Sequence, residues 1–557
     1  MTLRKMIFTS AAIAALTACG NQDAESASPA GVVPSAETLS VTTSSPVDAP
    51  FNLQGADPLD FELLLQKIPE ENRPTYETAE FDPGLGATVV TNLTFSDSDD
   101  GEGLRIGRAE LYGVDIEAVE RVEALEDAPF DAPFETIFEK VRLFEIESVG
   151  FAEYEPKLTI GAVEFDQLNV RQGMPRNGSG NSAAFFNAVD IGGLYFKDFQ
   201  FTQVSEIGDN IEFASPDLRM VGLGGGKLAA IIANDLVYTV AQTDETLDAA
   251  RETLGGPASL VFDSPYFEFI LGAQQRGEIE TFEWRKIDLS GLLEYGLRKE
   301  EPPVSARDLL DLGSMRMTNV ESYINGRRVS SVEEATMSAA QFEWLIPSKV
   351  RFDAKNAVYD WTAYVPETDE TAIAMLKERG LDKLEGESSF AWDWGADNGE
   401  AALDYVATTG GFADVFMDLN MSGFVLDDLA ERFESDDPAL DATLPGALDG
   451  MSVKIVDENA IDAIFAIAAL STGGEPGAMR EMAPTFLRFM AMDAGSIHPK
   501  LPGYVDAVAD FLSRGGTLEA VMAPAEPVPF EAIATAADAD DPGALIDLVG
   551  LEITHTE

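Results

Sequence analysis

The chain has one cysteine, two histidines and 37 basic residues in 557, and each scarcity removes a class of chemistry. A single thiol cannot form a disulfide within the chain or build a multi-cysteine metal site. Stability must therefore come from core burial, for which 45% apolar residues over this length are ample. His498 and His555 form no His-x-x-x-His pair and stand beside no nucleophile, so a metallohydrolase or serine–histidine site is not expected. Against the 37 Lys and Arg stand 98 Asp and Glu, a net charge of −61 that repels nucleic acid and anionic membrane faces. No catalytic residue, metal ligand or cofactor is assigned, and no ligand-binding residue can be named.

The remaining motifs read as structure. Asp97-Ser-Asp-Asp-Gly-Glu102 starts like a calcium loop but has its Gly one place early, and Arg108 stands where the bidentate Glu belongs. Gly222-Leu-Gly-Gly-Gly-Lys227 lacks the first Gly of a phosphate loop, and Leu228 replaces the magnesium-binding Ser or Thr, so a glycine turn is expected. Carboxylate pairs such as Asp393 and Asp397 carry no weight in so acidic a chain. Arg171 to Asn181 is the one basic, flexible-looking loop, read as a plain connection.

The lone cysteine has a context. Arg4 and Lys5 precede an apolar run, Met6 to Ala18, which is too short to span a bilayer and has the proportions of a signal core. It ends in Leu16-Thr-Ala-Cys19, which resembles the lipobox of bacterial lipoproteins. The resemblance implies cleavage before Cys19, lipidation of that residue and, with Gly20 next, an outer-membrane anchor with the folded part facing the periplasm. Loss of Arg4 and Lys5 with the signal would take the charge from −61 to −63. Residues 1–18 are thus expected to be a signal peptide and residues 19–57, rich in Ser, Ala, Pro and Thr, a flexible tether.

Residues 58–430 read as β-rich and repetitive. Four stretches, Ile106–Ile116, Ile160–Val170, Ile191–Phe201 and Ile279–Leu289, place apolar side chains at positions 1, 4, 6, 9 and 11. Side chains reverse face at every strand residue, so the polar pair at 7 and 8 shifts the parity. A two-residue hairpin there would need positive φ at residues such as Gln167 and Lys286, so a bulge within one long strand is expected instead. Chance alone matches the spacing in about 2% of windows, but Phe165, Phe196 and Trp284 recur at position 6. The irregular intervals between units exclude a solenoid and predict a serial meander.

Further on, Asp369 to Gly380 predicts a capped helix, and Ser388–Trp394 with Ala401–Thr408 a hairpin whose Phe390, Trp392 and Trp394 share a face. Ala413–Phe424 predicts a strand. Residues 431–557 read as a small C-terminal α/β domain with helices at Asp457–Leu470, Pro476–Met492, Pro502–Arg514 and Pro542–Val549.

Phrases such as Leu158-Thr-Ile-Gly-Ala-Val-Glu-Phe-Asp-Gln-Leu-Asn-Val170, with the terminal Gly515-Gly-Thr-Leu-Glu-Ala-Val-Met-Ala-Pro524, resemble AsmA-type and YdgA-type envelope proteins. That resemblance implies a β-groove and a link to lipid transport or membrane homeostasis. The expected fold is α+β, predominantly β: an extended meander of bent antiparallel strands, as a groove or open barrel-like sheet, ahead of the C-terminal domain. The expected function is a nonenzymatic envelope lipoprotein that binds or shields lipid-like ligands. The alternative is a structural or assembly scaffold that binds another envelope protein. An open apolar face would favour the first, and burial of that face between sheets the second.

Overall fold

The computed structural model describes residues 46–68, 70, 73–96, 103–123, 132–150, 156–171, 182–204, 210–241, 274–434, 445–472, 474–492, 494–538 and 542–557. One antiparallel sheet of 19 strands organises them. The first eight strands are β1 (Thr78–Asp82), β2 (Ala87–Ser96), β3 (Gly103–Tyr112), β4 (Phe134–Val149), β5 (Lys157–Arg171), β6 (Val189–Val204), β7 (Asn210–Gly224) and β8 (Lys227–Ala241). There follow β9 (Gln275–Asp288), β10 (Ser314–Ile324), β11 (Arg327–Glu343), β12 (Ile346–Tyr359), β13 (Leu384–Trp394), β14 (Ala401–Gly410), β15 (Ala413–Ser422) and β16 (Ala447–Asp457). Each pairs with its neighbours in sequence, which is the expected meander. β17 (Gly516–Met522) and the short β18 (Val528–Pro529) both pair with β16, and β19 (Leu551–Thr556) pairs with β17. Because β1 and β19 have one strand partner each, the sheet is open. It also continues past residue 431, since β16 pairs with β15 along its length.

The bend expected within the strands is present, and it is collective. Between the pairs Thr318–Glu334 and Val320–Val332 the ladder skips Asn319 and Glu333, and equivalent skips recur on the flanking strands. They form a transverse line from Asn92 on β2 to Asn356 on β12. On this line the even-numbered strands carry Asn92, Glu145, Asp198, Asp235, Asn319 and Asn356, all at φ between 46° and 55°. Asn and Asp dominate because their short polar side chains tolerate the left-handed conformation best. The odd-numbered strands offer Gly107, Gly161 and Pro216 and then Glu280 and Glu333, whose carboxylates accept from the side-chain amides of Asn319 and Asn356. A Cβ on Gly107 would sit 2.5 Å from Glu145 Oε2, and one on Gly161 would sit 3.0 Å from Asp198 Oδ2. Pro216 fits because no ladder bond needs its missing N–H.

A second line lies six residues away, as 161 to 167, 229 to 235 and 280 to 286 show. Here the left-handed residues fall on odd-numbered strands: Gln167, Gly222 and Lys286. The four sequence units reflect both lines, because their positions 2 and 8 are the crease positions. The expectation that Gln167 and Lys286 would avoid positive φ is corrected: φ is 52° and 62°. Both side chains are exposed and unbranched at Cβ, so the cost is confined to the local clash of Cβ with the following carbonyl. Each crease resets the side-chain alternation. Thus Phe196 and Phe199, which a regular strand would place on opposite faces, meet edge to face at 6.1 Å across Asp198. The first unit differs: β3 ends at Tyr112, and Ile116 starts the helix Ile116–Glu123.

The N-terminal segment straps one end of the sheet. Residues 46–51 lie on the polar face, where Arg142 Nη2 donates to the Ala49 carbonyl at 2.7 Å and Lys197 pairs with Asp48 at 2.6 Å. Phe51 stacks edge to face on Tyr112 at 4.9 Å. The chain then passes the β1–β2 turn, where Leu53 N–H donates to the Leu85 carbonyl. It reaches the apolar face as α1 (Phe61–Leu65), N-capped by Asp60, with Phe61 and Leu65 packed on Val90, Ile106 and Val163. Residues 46–57, read from composition as the end of the tether, therefore lie against the sheet.

Most of the larger helices are C-terminal. Asp369 caps the helix Glu370–Glu378, as expected, and Leu376 packs on Ala463 of the helix Ala460–Thr472. The helices Pro476–Met490 and Leu501–Arg514 also stand close to expectation. The helix Leu501–Arg514 lies on the apolar face of β17 and β19: the Phe511 ring is 6.3 Å from that of His555, and Tyr504 donates to the Leu551 carbonyl.

Candidate functional site

Directly opposed strand residues share a face, so the register defines each face of the sheet. One row of opposed residues starts at Leu111 on β3 and runs through Val141, Phe165, Leu194, Met220 and Ile231. It continues through Trp284, Met315, Met337, Phe352 and Phe390. Tyr405, Met417, Val453, Ala520 and Ile553 complete it on β19. Every strand from β3 to β17, and then β19, contributes an apolar or aromatic side chain. At about 4.8 Å per strand the row is roughly 70 Å long. A flanking row, Leu143, Val163, Phe196, Leu218, Ala233 and Phe282, widens it over β4–β9.

Described helices cover the two ends of this face, and over its middle strands the cover is thinner among the described residues. Over β2–β6 it packs against α1. Over β17 and β19 it lies under the helix Leu501–Arg514. On β7–β12 the clusters around Ala233, Leu236 and Ile279 and around Val332, Ala335 and Ala354 consist of strand residues alone, whereas Ile324 and Val329 at one end pack against Ala363, and Phe282, Met315, Met337 and Phe352 are half-buried. No second sheet lies over the row among the described residues. At the first crease Asn319, Glu333 and Asn356 line a cavity together with Arg316 and Glu334 of the polar face.

The polar face carries an ion ladder. Glu164, 2% exposed, accepts from Lys140 at 2.5 Å and from Arg142 Nε at 2.7 Å, and the Phe51 ring lies 4.9 Å from the Lys140 ammonium. Arg219 pairs with Asp217, Arg285 with Glu283 at 2.8 Å, and Arg316 Nε donates to Glu334 at 2.8 Å. The Arg316 partnership holds the Glu334 carboxyl below its ordinary range. On the later strands Asp404 and Asp418 oppose one another, and burial, then the hydrogen bond and charge of Asp418, push the Asp404 carboxyl up. Such pairing serves structure and solvation. Among the described residues no group of three or more His, Cys, Asp or Glu is placed to hold a metal ion.

The sequence candidates fall as follows. His498 is buried, and its Nδ1 accepts from the Lys500 N–H at 3.2 Å, so Nε2–H faces Asp547 at 3.1 Å. His555 bonds the Gly515 carbonyl at 2.7 Å. The structure does not bring the two histidines together with a nucleophile. Gly225 and Gly226, at φ 57° and 80°, form the tight turn between β7 and β8, as the glycine-turn reading requires. Asp393 pairs with Arg351 at 2.6 Å, whereas Asp397 is solvent-exposed. Cys19, Asp97–Glu102 and residues 172–181 lie outside the described residues. Trp284 and Phe196 belong to the face itself, and Trp284 also donates to the Leu312 carbonyl at 2.6 Å. Sequence reading placed no strand at β1, β2, β4, β7, β8, β10–β12 or β16; on β8 and β10–β12 the left-handed residues Asp235, Asn319, Gln341 and Asn356 could have been found as single polar residues after which the alternation restarts one position late.

A family model described as an uncharacterized protein matches residues 407–556, from within β14 to the end of β19. Comparison with curated proteins finds no match. No described helix is long and apolar enough to cross a membrane.

Proposed function

We propose that this protein is a nonenzymatic envelope lipoprotein whose apolar face shields the hydrocarbon of lipid-like molecules, and which is anchored by lipid on Cys19 with its folded part toward the periplasm. The observation that carries the reading is the unbroken apolar row from Leu111 to Ile553, which over the middle strands packs on no second sheet and, around Ala233 and Val332, on no helix among the described residues. A core row would be roofed. A row left open in so acidic a chain is suited to an occupant that needs contact and no hydrogen bond. Each methylene it shields from water contributes about 0.8 kcal/mol, so ten seated methylenes offer about 8 kcal/mol before the cost of ordering the chain. The polar face keeps the assembly soluble, and the net charge favours zwitterionic over anionic headgroups.

The purified chain should take up a fluorescent fatty-acyl probe. Met337→Asp, which puts a carboxylate on the middle stretch, should lower uptake by about tenfold while the melting curve stays cooperative, since charge in a hydrocarbon contact is strongly disfavoured. Equal uptake by a folded variant would overturn the reading. A lipid-free parent that also ignores the probe would leave the scaffold alternative in its place.

A further inference from the structure

The helix Pro476–Met490, labelled α2 here, packs inward through Pro484, Arg480 and Arg488, which pair with Asp462, Asp506 and Asp510 of the adjoining helices. Its other side holds Met482, Phe486, Phe489 and Met490, at 68%, 62%, 61% and 68% exposure, and Met492 follows at 71%. Spacings of four, three and one place them on one stripe, and no described element covers it. Scattered apolar residues on a surface need no explanation, but a contiguous helical stripe in a chain of net charge −61 does.

We propose that this stripe docks on the surface of a zwitterionic phospholipid bilayer as a second contact beside the lipid anchor. Two observations select that occupant. The stripe's one hydrogen-bonding side chain is Thr485 beside five apolar ones, which suits hydrocarbon, whereas a protein partner would use a hydrogen bond about once per 100–200 Å². The reach is also adequate. Residues 20–45 can extend to roughly 85 Å, whereas the strapped strand β5 and the C-terminal strand β16 are about 53 Å apart across the sheet. Because α2 sits on the helix Leu501–Arg514, which lies on the apolar face, docking would hold the C-terminal end of that face toward the membrane. The proposal deepens the lipid-shielding reading and rests on it for the choice of lipid as partner.

Methionine oxidation on the full chain tests it, because susceptibility follows exposure. Phosphatidylcholine vesicles should slow peroxide oxidation of Met482, Met490 and Met492 by about fivefold. Phe486→Asp combined with Phe489→Asp, at positions too exposed to unfold the helix, should restore the original rates even while the anchor keeps the chain on the vesicles. Unchanged rates in a chain that co-sediments with vesicles would overturn the proposal. So would protection that grows with protein concentration in the absence of vesicles, which would assign the stripe to a second copy. Met315 and Met337 report separately: failure of a bound fatty acid to protect them counts against the lipid-shielding reading and leaves the stripe's result standing.

Discussion

The strands up to β12 and those from β13 to β16 build the same apolar row by different means. β4–β9 are 14–16 residues long and are creased by left-handed residues, whereas β13–β16 are 10–11 residues long and contain none. Beside the short straight strands the helices Glu370–Glu378 and Ala460–Thr472 gather around the sheet, and the helix Leu501–Arg514 follows on β17 and β19. The first crease stops at a register shift: Lys355 and Asn356 of β12 face only Glu387 of β13. A crease therefore behaves as a property of a group of strands, because a left-handed residue needs an accommodating partner on each side. The polar faces differ in the same way. The N-terminal strap buries the ion pairs of β4 and β5, while those of β12 and β13 remain half-exposed.

The largest expected effect sharpens that second difference. Glu164→Ala leaves Arg142 buried beneath the strap without its carboxylate and Lys140 with only the half-exposed Asp166 at 3.1 Å, and should cost about 3–5 kcal/mol. Asp393→Ala, which frees Arg351 at a half-exposed site, should cost less than about 1 kcal/mol. Urea unfolding of the two variants measures both. Equal losses would mean that the strap does not desolvate the ladder.

A smaller effect addresses the creases. Asn356 holds φ 51° at the end of the first line, while Asn420 lies in β15 among the straight strands. Asn356→Val forces a β-branched residue into the left-handed region and should cost about 1–3 kcal/mol. Asn420→Val should stay within about 0.5 kcal/mol, since Val suits an extended strand. Asn356→Gly should be tolerated, because glycine adopts either sign of φ. If Asn356→Val proved as mild as Asn420→Val, the crease would not depend on its left-handed residues.

How much of this was legible follows from what each signal depends on. The meander, the bent strands, the cap at Asp369 and the helix start at Pro476 rest on local pattern and could be read directly. The template found units at Ile160 and Ile279 because two creases six residues apart reset the alternation there. It did not distinguish the lines, because a crease is defined by residues on neighbouring strands: Gly161 makes sense only beside Glu145 and Asp198. The apolar row was out of reach for the same reason, since it exists in the register and not in any one segment. The strap was hidden by its composition. Pro46 to Phe51 looks like linker, and only the cations of β4 and β6 reveal its docking.

The smallest effect sets two carboxylates of the polar face against each other through pH. Asp404, on the straight strand β14, holds its proton more tightly in the folded chain than the ordinary 3.8, because of burial and Asp418. Its contribution is fully present below pH 3.8 and is lost as pH rises through its folded value, since the folded state there binds more protons than the unfolded one. Glu334, on the creased strand β11, is held below its ordinary 4.5 by Arg316, so its contribution is present above that pH and is lost as pH falls through the folded value. Asp404→Asn should therefore raise Tm at pH 7 by less than about 2 °C, with the gain disappearing near pH 3.5. Glu334→Gln should lower Tm at pH 7 by a similarly small amount, with the loss shrinking as the medium is acidified below pH 4.5. Thermal melts across pH 3.5–7 decide it. Shifts of the same sign in both variants, or shifts indifferent to pH, would show that Asp404 and Glu334 act through packing, and the contrast between the two carboxylates would fail.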